Sequence, residues 1–192
     1  MHKEIIWYTQ EIGDTPEHRI IEYYDPNTHE VKMIETFENG KLFSREDLRI
    51  RRGLVSDYDE FSPEQVLVRS KRLIPGTNTY LFQHFSEKSG NIQVEEIFDV
   101  RSHELISATR YVYHNGKLAE KVPTDKLGLR SGFVEYFTES GELYKTTEFR
   151  NGIPEGLSVD YRSEGFPVSS LRTNELGEPV SVSRFNKLGN KI

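Results

Sequence analysis

The 192-residue chain contains no cysteine, which excludes disulfide bonds and thiolate metal sites. No run of about 18 apolar residues occurs either, so the sequence offers no candidate membrane-spanning helix. The apolar stretch near the start, Ile5-Ile6-Trp7-Tyr8, is too short for a signal peptide. We therefore expect a cytoplasmic protein.

Basic charge is in the minority. The sequence has 25 Lys and Arg against 31 Asp and Glu, a formal net charge of −6. This balance argues against nucleic acid or an anionic membrane as the main ligand. It is typical of an ordinary soluble protein, or of one whose partner is basic.

Helix signals are scarce. Ser62-Pro63-Glu64-Gln65 has a capping serine, a first-turn proline and a glutamine three residues after the cap, which together can begin a helix. The segment also aligns with Phe85-Ser86-Glu87-Lys88 and Phe137-Thr138-Glu139-Ser140, which we interpret as strand ends that enter turns. We therefore predict strand, turn and strand here.

Turn signals, in contrast, are frequent. The chain has three Asn-Gly pairs, at Asn39, Asn115 and Asn151, and this dipeptide supplies the positive φ angles of a tight hairpin. Between the turns lie short segments rich in β-branched and aromatic residues. These segments predict about a dozen strands, among them 19–24, 31–37, 80–85, 92–98, 109–113, 133–137, 143–149 and 157–161.

An aromatic residue recurs at a spacing of 12 or 24 within two stretches of the chain, 37–85 and 137–185. A fixed period indicates repeats that bury their apolar faces on one another. We therefore predict an all-β fold of consecutive antiparallel hairpins that form an extended, twisted sheet, which curls on itself. The residues that set the period are Phe37, Phe61, Phe85, Phe137, Phe149, Tyr161 and Phe185.

Regularity weakens between Phe43 and Asn78, and loops are predicted at Pro75-Gly76 and from Val122 to Gly128. No linker-like Ser/Gly run interrupts the chain. We therefore predict a single repeat-sheet domain over 1–192, less regular over 1–125 and clearer over 126–192.

The clearer part resembles a known repeat. Gly132-Phe133-Val134-Glu135-Tyr136-Phe137 leads through Ser140-Gly141-Glu142-Leu143 to Phe149-Arg150-Asn151-Gly152, with Gly156-Leu157 following. This pattern is similar to the variant MORN repeat (membrane occupation and recognition nexus) found in bacterial antitoxin-like proteins. Thr173 stands where the repeat has an aromatic residue, and the opening glycine is missing before Tyr23 and Phe82.

The resemblance implies a sheet of hairpins that binds a protein or a membrane, and it brings no catalytic residues. Our first expectation is a non-catalytic, antitoxin-like or immunity-like protein that occludes a partner protein, such as a toxin or effector. The first alternative is a scaffold module that bridges proteins or the peripheral membrane. The second is a hydrolytic enzyme that uses acidic residues.

Catalytic and cofactor motifs are missing from the sequence. No two of the six histidines stand at a metal-binding spacing. The serine in Gly128-Leu129-Arg130-Ser131-Gly132 is one place too late for a nucleophile elbow, and the glycines fall at hairpin spacing. We predict no catalytic residue, no metal site and no cofactor.

Acidic residues are densest at Asp57-Tyr58-Asp59-Glu60. On a strand, Asp57 and Asp59 share one face. The pair could be half of a hydrolytic dyad or a cation site, or could meet a basic partner together with Glu60. A solvated strand end is the structural alternative.

Basic residues cluster nearby and could align on adjacent strands as a stripe that binds phosphate groups. Cross-strand ion pairing is the structural alternative. The residues of this basic stripe are Arg49, Arg51, Arg52, Arg69, Lys71 and Arg72.

Aromatic residues outside the main period could be core or, on a single-layer sheet, a docking surface. The candidates for partner contact are Trp7, Tyr8, Tyr23, Tyr111, Tyr136 and Tyr144.

Overall fold

The computed structural model describes residues 4–8, 18–25, 27–52 and 55–192, and over 4–8 and 50–52 the description covers the backbone alone. The chain divides into two compact units, Met1–Glu104 and Leu105–Ile192. The described residues form strands and turns, and none of them belongs to a helix that is long and apolar enough to cross a membrane.

The first unit is an antiparallel sheet in which each strand pairs with its neighbours in the chain. Its strands are β1 (Glu4–Tyr8), β2 (His18–Tyr24), β3 (Val31–Glu38), β4 (Lys41–Arg52), β5 (Val55–Phe61), β6 (Leu67–Leu73), β7 (Thr79–Phe85) and β8 (Ile92–Asp99).

The second unit repeats this arrangement, and its sheet is likewise open. Its strands are β9 (Leu105–His114), β10 (Lys117–Asp125), β11 (Gly132–Phe137), β12 (Leu143–Arg150), β13 (Ile153–Tyr161), β14 (Pro167–Thr173) and β15 (Pro179–Arg184). The prediction of an all-β fold of consecutive antiparallel hairpins is confirmed.

The aromatic period coincides with register shifts. Six of its seven members stand directly after a β-bulge or irregularity in the pairing, from Phe37 in β3 to Tyr161 in β13. A bulge adds one residue to one strand and increases the local twist. The repeated element is therefore a strand that ends in a bulge and an aromatic residue.

Two local predictions have clear outcomes. The segment after Phe61 is a turn, as expected, closed by the Ser62 N–H donating to Val66 O at 2.8 Å, so the helix alternative is wrong. The loop predicted from Val122 is wrong over its first four residues, because β10 continues to Asp125 and the turn follows at 126–128.

The core of the second unit is small and lies on β10, β11 and β12. Val122, Val134 and Phe149 form its buried cluster, and Tyr136 packs against it. The Arg130 guanidinium covers the Phe149 ring, 5.2 Å from the ring centroid. Most other strand residues of this unit are half-buried or exposed, as expected where a sheet is one layer thick.

Candidate protein-binding surface

The predicted acidic cluster lies on β5 and faces the basic residues of β6. Glu60 is in register with Arg69, and their charged groups are 3.0 Å apart. The Arg72 guanidinium binds both oxygens of Asp59, at 2.6 and 2.8 Å, and its Nε lies 3.9 Å from Asp57. The acidic cluster and two of the six basic-stripe residues, Arg69 and Arg72, thus neutralise each other across adjacent strands.

Asp57 and Asp59 share one face of β5, as the alternation of the strand predicts. Besides Arg72, Asp57 Oδ1 accepts a hydrogen bond from the Leu73 N–H at 2.9 Å. Both carboxylates therefore have partners within the sheet, and these contacts hold β5 against β6.

The rest of the basic stripe is only partly described. Arg49 forms a fork with Asp47 on its own strand, at 2.9 and 2.6 Å, and this hydrogen bonding lowers the pKa of Asp47. Lys71 Nζ lies 5.6 Å from the centre of the Tyr58 ring. The side chains of Arg51 and Arg52 lie outside the described part. Each described arginine of the stripe thus contacts a carboxylate.

A buried carboxylate that sequence reasoning missed occupies the middle of β3. Glu35 is 7% exposed and accepts hydrogen bonds from Tyr23 Oη at 2.8 Å and from Arg45 Nε at 2.8 Å. The register pairs Glu35 with Ile21 on one side and Arg45 on the other. The signal in the sequence is that Glu35 interrupts the otherwise apolar face of β3 formed by Val31, Met33 and Phe37.

The predicted aromatic contacts have different environments. The rings of Tyr136 and Tyr144 lie side by side, 6.3 Å between centroids, and burial raises the pKa of the Tyr136 phenol. Tyr144 is exposed, whereas Tyr111 is half-buried. Trp7 and Tyr8 belong to β1, and their side chains lie outside the described residues.

Exposed apolar side chains are unevenly distributed along the chain. Every large hydrophobic residue that is exposed in the described part belongs to the second unit. Most of them are not aromatic, so the aromatic candidates alone did not reveal them. They are Ile106, Val112, Leu127, Leu129, Phe133, Tyr144, Ile153, Phe166, Val168, Leu176, Val180, Val182, Leu188 and Ile192.

Charge is divided unevenly as well. Residues 1–104 carry 13 Lys and Arg against 20 Asp and Glu, a net charge of −7, while residues 105–192 carry 12 against 11, a net charge of +1. The acidity of the chain is thus a property of the first unit. The second unit combines near-neutrality with exposed apolar groups, which favours association over solvation.

A cleft of about 240 Å³ lies between two turns of the first unit, lined by Leu42, Phe43, Phe61 and Pro63 among others. Lys41 Nζ donates to Pro63 O at 2.6 Å and Gln65 Nε2 donates to Leu42 O at 2.9 Å, which ties the two turns together. This volume is below the roughly 300 Å³ at which ligand pockets begin.

Among the described residues, no three His, Asp or Glu side chains lie close enough together to hold a metal ion.

Comparison of the chain with protein-family models and with curated proteins gives no match. The resemblance to the variant MORN repeat therefore stays a prediction.

Proposed function

We propose that the protein is a non-catalytic repeat protein that forms a stoichiometric complex with another protein, in an antitoxin-like or immunity-like role. The observation that carries the proposal is the concentration of exposed apolar side chains in the second unit. Exposed apolar surface of this kind is typical of interaction sites. The resemblance to antitoxin-like repeats favours the same class of function.

The mechanism would be occlusion of a functional surface on the partner. Binding energy in protein interfaces is concentrated in a few apolar and aromatic anchors that lose contact with water. Phe133 and Tyr144, exposed on neighbouring strands of the second unit, are suitable anchors. The Asp57–Glu60 cluster is less suitable, because its carboxylates already bind Arg69 and Arg72.

The charge of the first unit would act at longer range. A net charge of −7 over residues 1–104 attracts a basic partner and accelerates encounter, and salt weakens this effect. The expected partner is therefore a basic protein, and its association rate should fall as ionic strength rises.

Affinity capture from the native source tests the proposal. We expect the tagged chain to retain one main protein in a fixed molar ratio, measured by light scattering on the purified complex. Replacement of both Phe133 and Tyr144 by serine should abolish retention, while Asp59→Asn should leave it within about threefold, as for a charge on the rim of an interface. Absence of a stoichiometric complex, or loss of binding in Asp59→Asn alone, would contradict the proposal.

A further inference from the structure

Three turns of the second unit share one sequence and one geometry. Each has Asp or Asn, then a charged residue, then Leu-Gly. The Asp or Asn side chain accepts hydrogen bonds from the backbone N–H two and four residues later, at 2.9 to 3.0 Å. The leucine points into solvent in all three: Leu127 is 76% exposed, Leu176 79% and Leu188 77%.

Two of these turns lie at the same end of the strands. In an antiparallel sheet alternate turns share an end, which places the turns after β10, β12 and β14 together. Leu188 follows β15 and belongs to the opposite end, where Arg162 donates to Asn186 O at 3.2 Å. Leu127 and Leu176 are therefore two copies of one feature on one edge of the molecule.

The turn between them continues the apolar line. The Gly152 N–H donates to Arg130 O at 2.9 Å, and the Cβ position of Gly152 lies 3.8 Å from Leu129 Cδ2. The Cβ position of Gly177 lies 4.0 Å from Ile153 Cγ2. Leu127, Leu129, Ile153 and Leu176 thus form a row of exposed side chains across three turns, here called the leucine ridge.

The two ends of the leucine ridge carry opposite charges at equivalent positions. Lys126 precedes Leu127, and Glu175 precedes Leu176. Both charged residues are exposed, and neither has an ion pair among the described residues. Strands are about 4.8 Å apart, so successive turns of the ridge are spaced by roughly 10 Å, with Ile153 near the middle.

We propose that the leucine ridge binds the leucine ridge of a second copy of the chain. A two-fold axis near Ile153 places Leu127 of one copy against Leu176 of the other, and Lys126 against Glu175. Both Lys–Glu contacts then form at once, because a two-fold interface uses each contact twice. Self-complementarity of charge and apolar groups along one line is the argument for a second copy as the occupant.

The interface is small. Three turns present less surface than the roughly 800 Å² per partner of a standard interface, so the dimer is weak and its dissociation constant falls between about 10 µM and about 1 mM. The inference does not rest on the proposed function. The leucine-ridge residues belong to the same exposed apolar set of the second unit, but they differ from the proposed partner anchors, Phe133 and Tyr144.

Sedimentation equilibrium of the full chain over this concentration range tests the inference. We expect a monomer–dimer equilibrium that Leu127→Ser with Leu176→Ser abolishes and that Leu188→Ser leaves unchanged, since Leu188 has the same turn and exposure at the other end. Lys126→Glu should weaken the dimer about tenfold, and Lys126→Glu with Glu175→Lys should restore it. A monomer at all concentrations, or equal losses in the Leu188→Ser control, would overturn the inference.

A single introduced cysteine gives an independent test, because the chain has none of its own. Ile153→Cys near the axis should form an intermolecular disulfide under mild oxidation, since such a bond requires Cα atoms within about 7 Å. Leu188→Cys should cross-link far more slowly. Similar cross-linking of the two variants would indicate random collision and contradict the two-fold arrangement.

Discussion

At the scale of the residue, Gln65 occupies a backbone conformation that glycine holds elsewhere in the chain. Its φ is +65°, whereas the matching turn position is glycine at Gly141, Gly165 and Gly177. A residue with a Cβ pays about 1–2 kcal/mol in this left-handed region. Gln65 also donates to Leu42 O, so the side chain returns part of that cost by joining two turns.

Substitution at Gln65 separates the two effects. Both Gln65→Gly and Gln65→Ala remove the hydrogen bond to Leu42, but only alanine keeps the unfavourable Cβ. We expect the glycine variant to be more stable than the alanine variant by about 1 kcal/mol. Urea denaturation measures the difference, and an alanine variant as stable as the glycine variant would contradict the backbone explanation.

A substitution at Glu35 tests the ion pair that the buried Glu35 of β3 forms with Arg45 of β4. Glu35→Gln keeps the size of the side chain but leaves Arg45 without its carboxylate, and a hydrogen bond to a charged group contributes about 1.5–3 kcal/mol. We expect the free energy of unfolding to fall by roughly 2 kcal/mol. Glu30→Gln, in an exposed turn, is the control and should change it by less than about 0.5 kcal/mol.

Among the secondary-structure elements, side-chain acceptors hold several turns closed, and the turn closed by Asp99 is sensitive to acid. Hydrogen bonds from the N–H groups of Ser102 and Arg101 lower the pKa of Asp99 below its ordinary value. A lowered folded-state pKa means that the turn is stabilised above the unfolded pKa, about 4. This contribution is lost as the pH falls through the folded-state pKa.

Asp99→Asn should therefore flatten the dependence of stability on pH. Asparagine Oδ1 can also accept backbone N–H groups in a turn, as Asn174 and Asn186 do from the residue two positions later, so the variant should match the wild type at neutral pH. Below about pH 4 the wild type should lose more stability than the variant. Urea midpoints measured between about pH 6 and pH 3 check this, and parallel curves would show that Asp99 contributes nothing.

Some elements could be predicted from the sequence and others could not, for physical reasons. The Asn-Gly hairpins depend on local backbone preference, and Asn39, Asn115 and Asn151 all have positive φ. In contrast, β4 lies in the stretch that lacks a regular pattern, because Ser44-Arg45-Glu46-Asp47 are all polar and do not alternate with apolar residues.

The candidate site was harder to predict, since it depends on contacts between strands. The run Asp57–Glu60 looked available for a partner until the register placed Arg69 and Arg72 opposite it. Leu127 and Leu176 are exposed because they stand in turns. The recurrent Leu-Gly pair is the signal in the sequence that indicates these turns.

At the scale of the whole molecule, each unit depends on a few buried side chains. Val134 is fully buried in the second unit, at 0% exposure, while Val182 on β15 is 65% exposed. Val134→Ala should lower the free energy of unfolding by roughly 1–3 kcal/mol, because it removes buried methyl groups and leaves a cavity. Val182→Ala should change it by less than about 0.5 kcal/mol, and equal effects would contradict the assignment of the core.

The two units also differ in the chemistry that they offer a partner. The first is acidic, and its described arginine side chains on β4 and β6 bind carboxylates. The second is nearly neutral and carries all the large exposed hydrophobic residues of the described part. Attraction by one unit and anchoring by the other would allow both fast encounter and slow release.

The proposal that the second unit anchors the partner can be tested by hydrogen–deuterium exchange on the captured complex. We predict that the partner slows exchange in segments of Leu105–Ile192 that include Phe133 and Tyr144, with little change over 55–73. Protection confined to 55–73, or a chain that turns over a substrate with no partner bound, would contradict it.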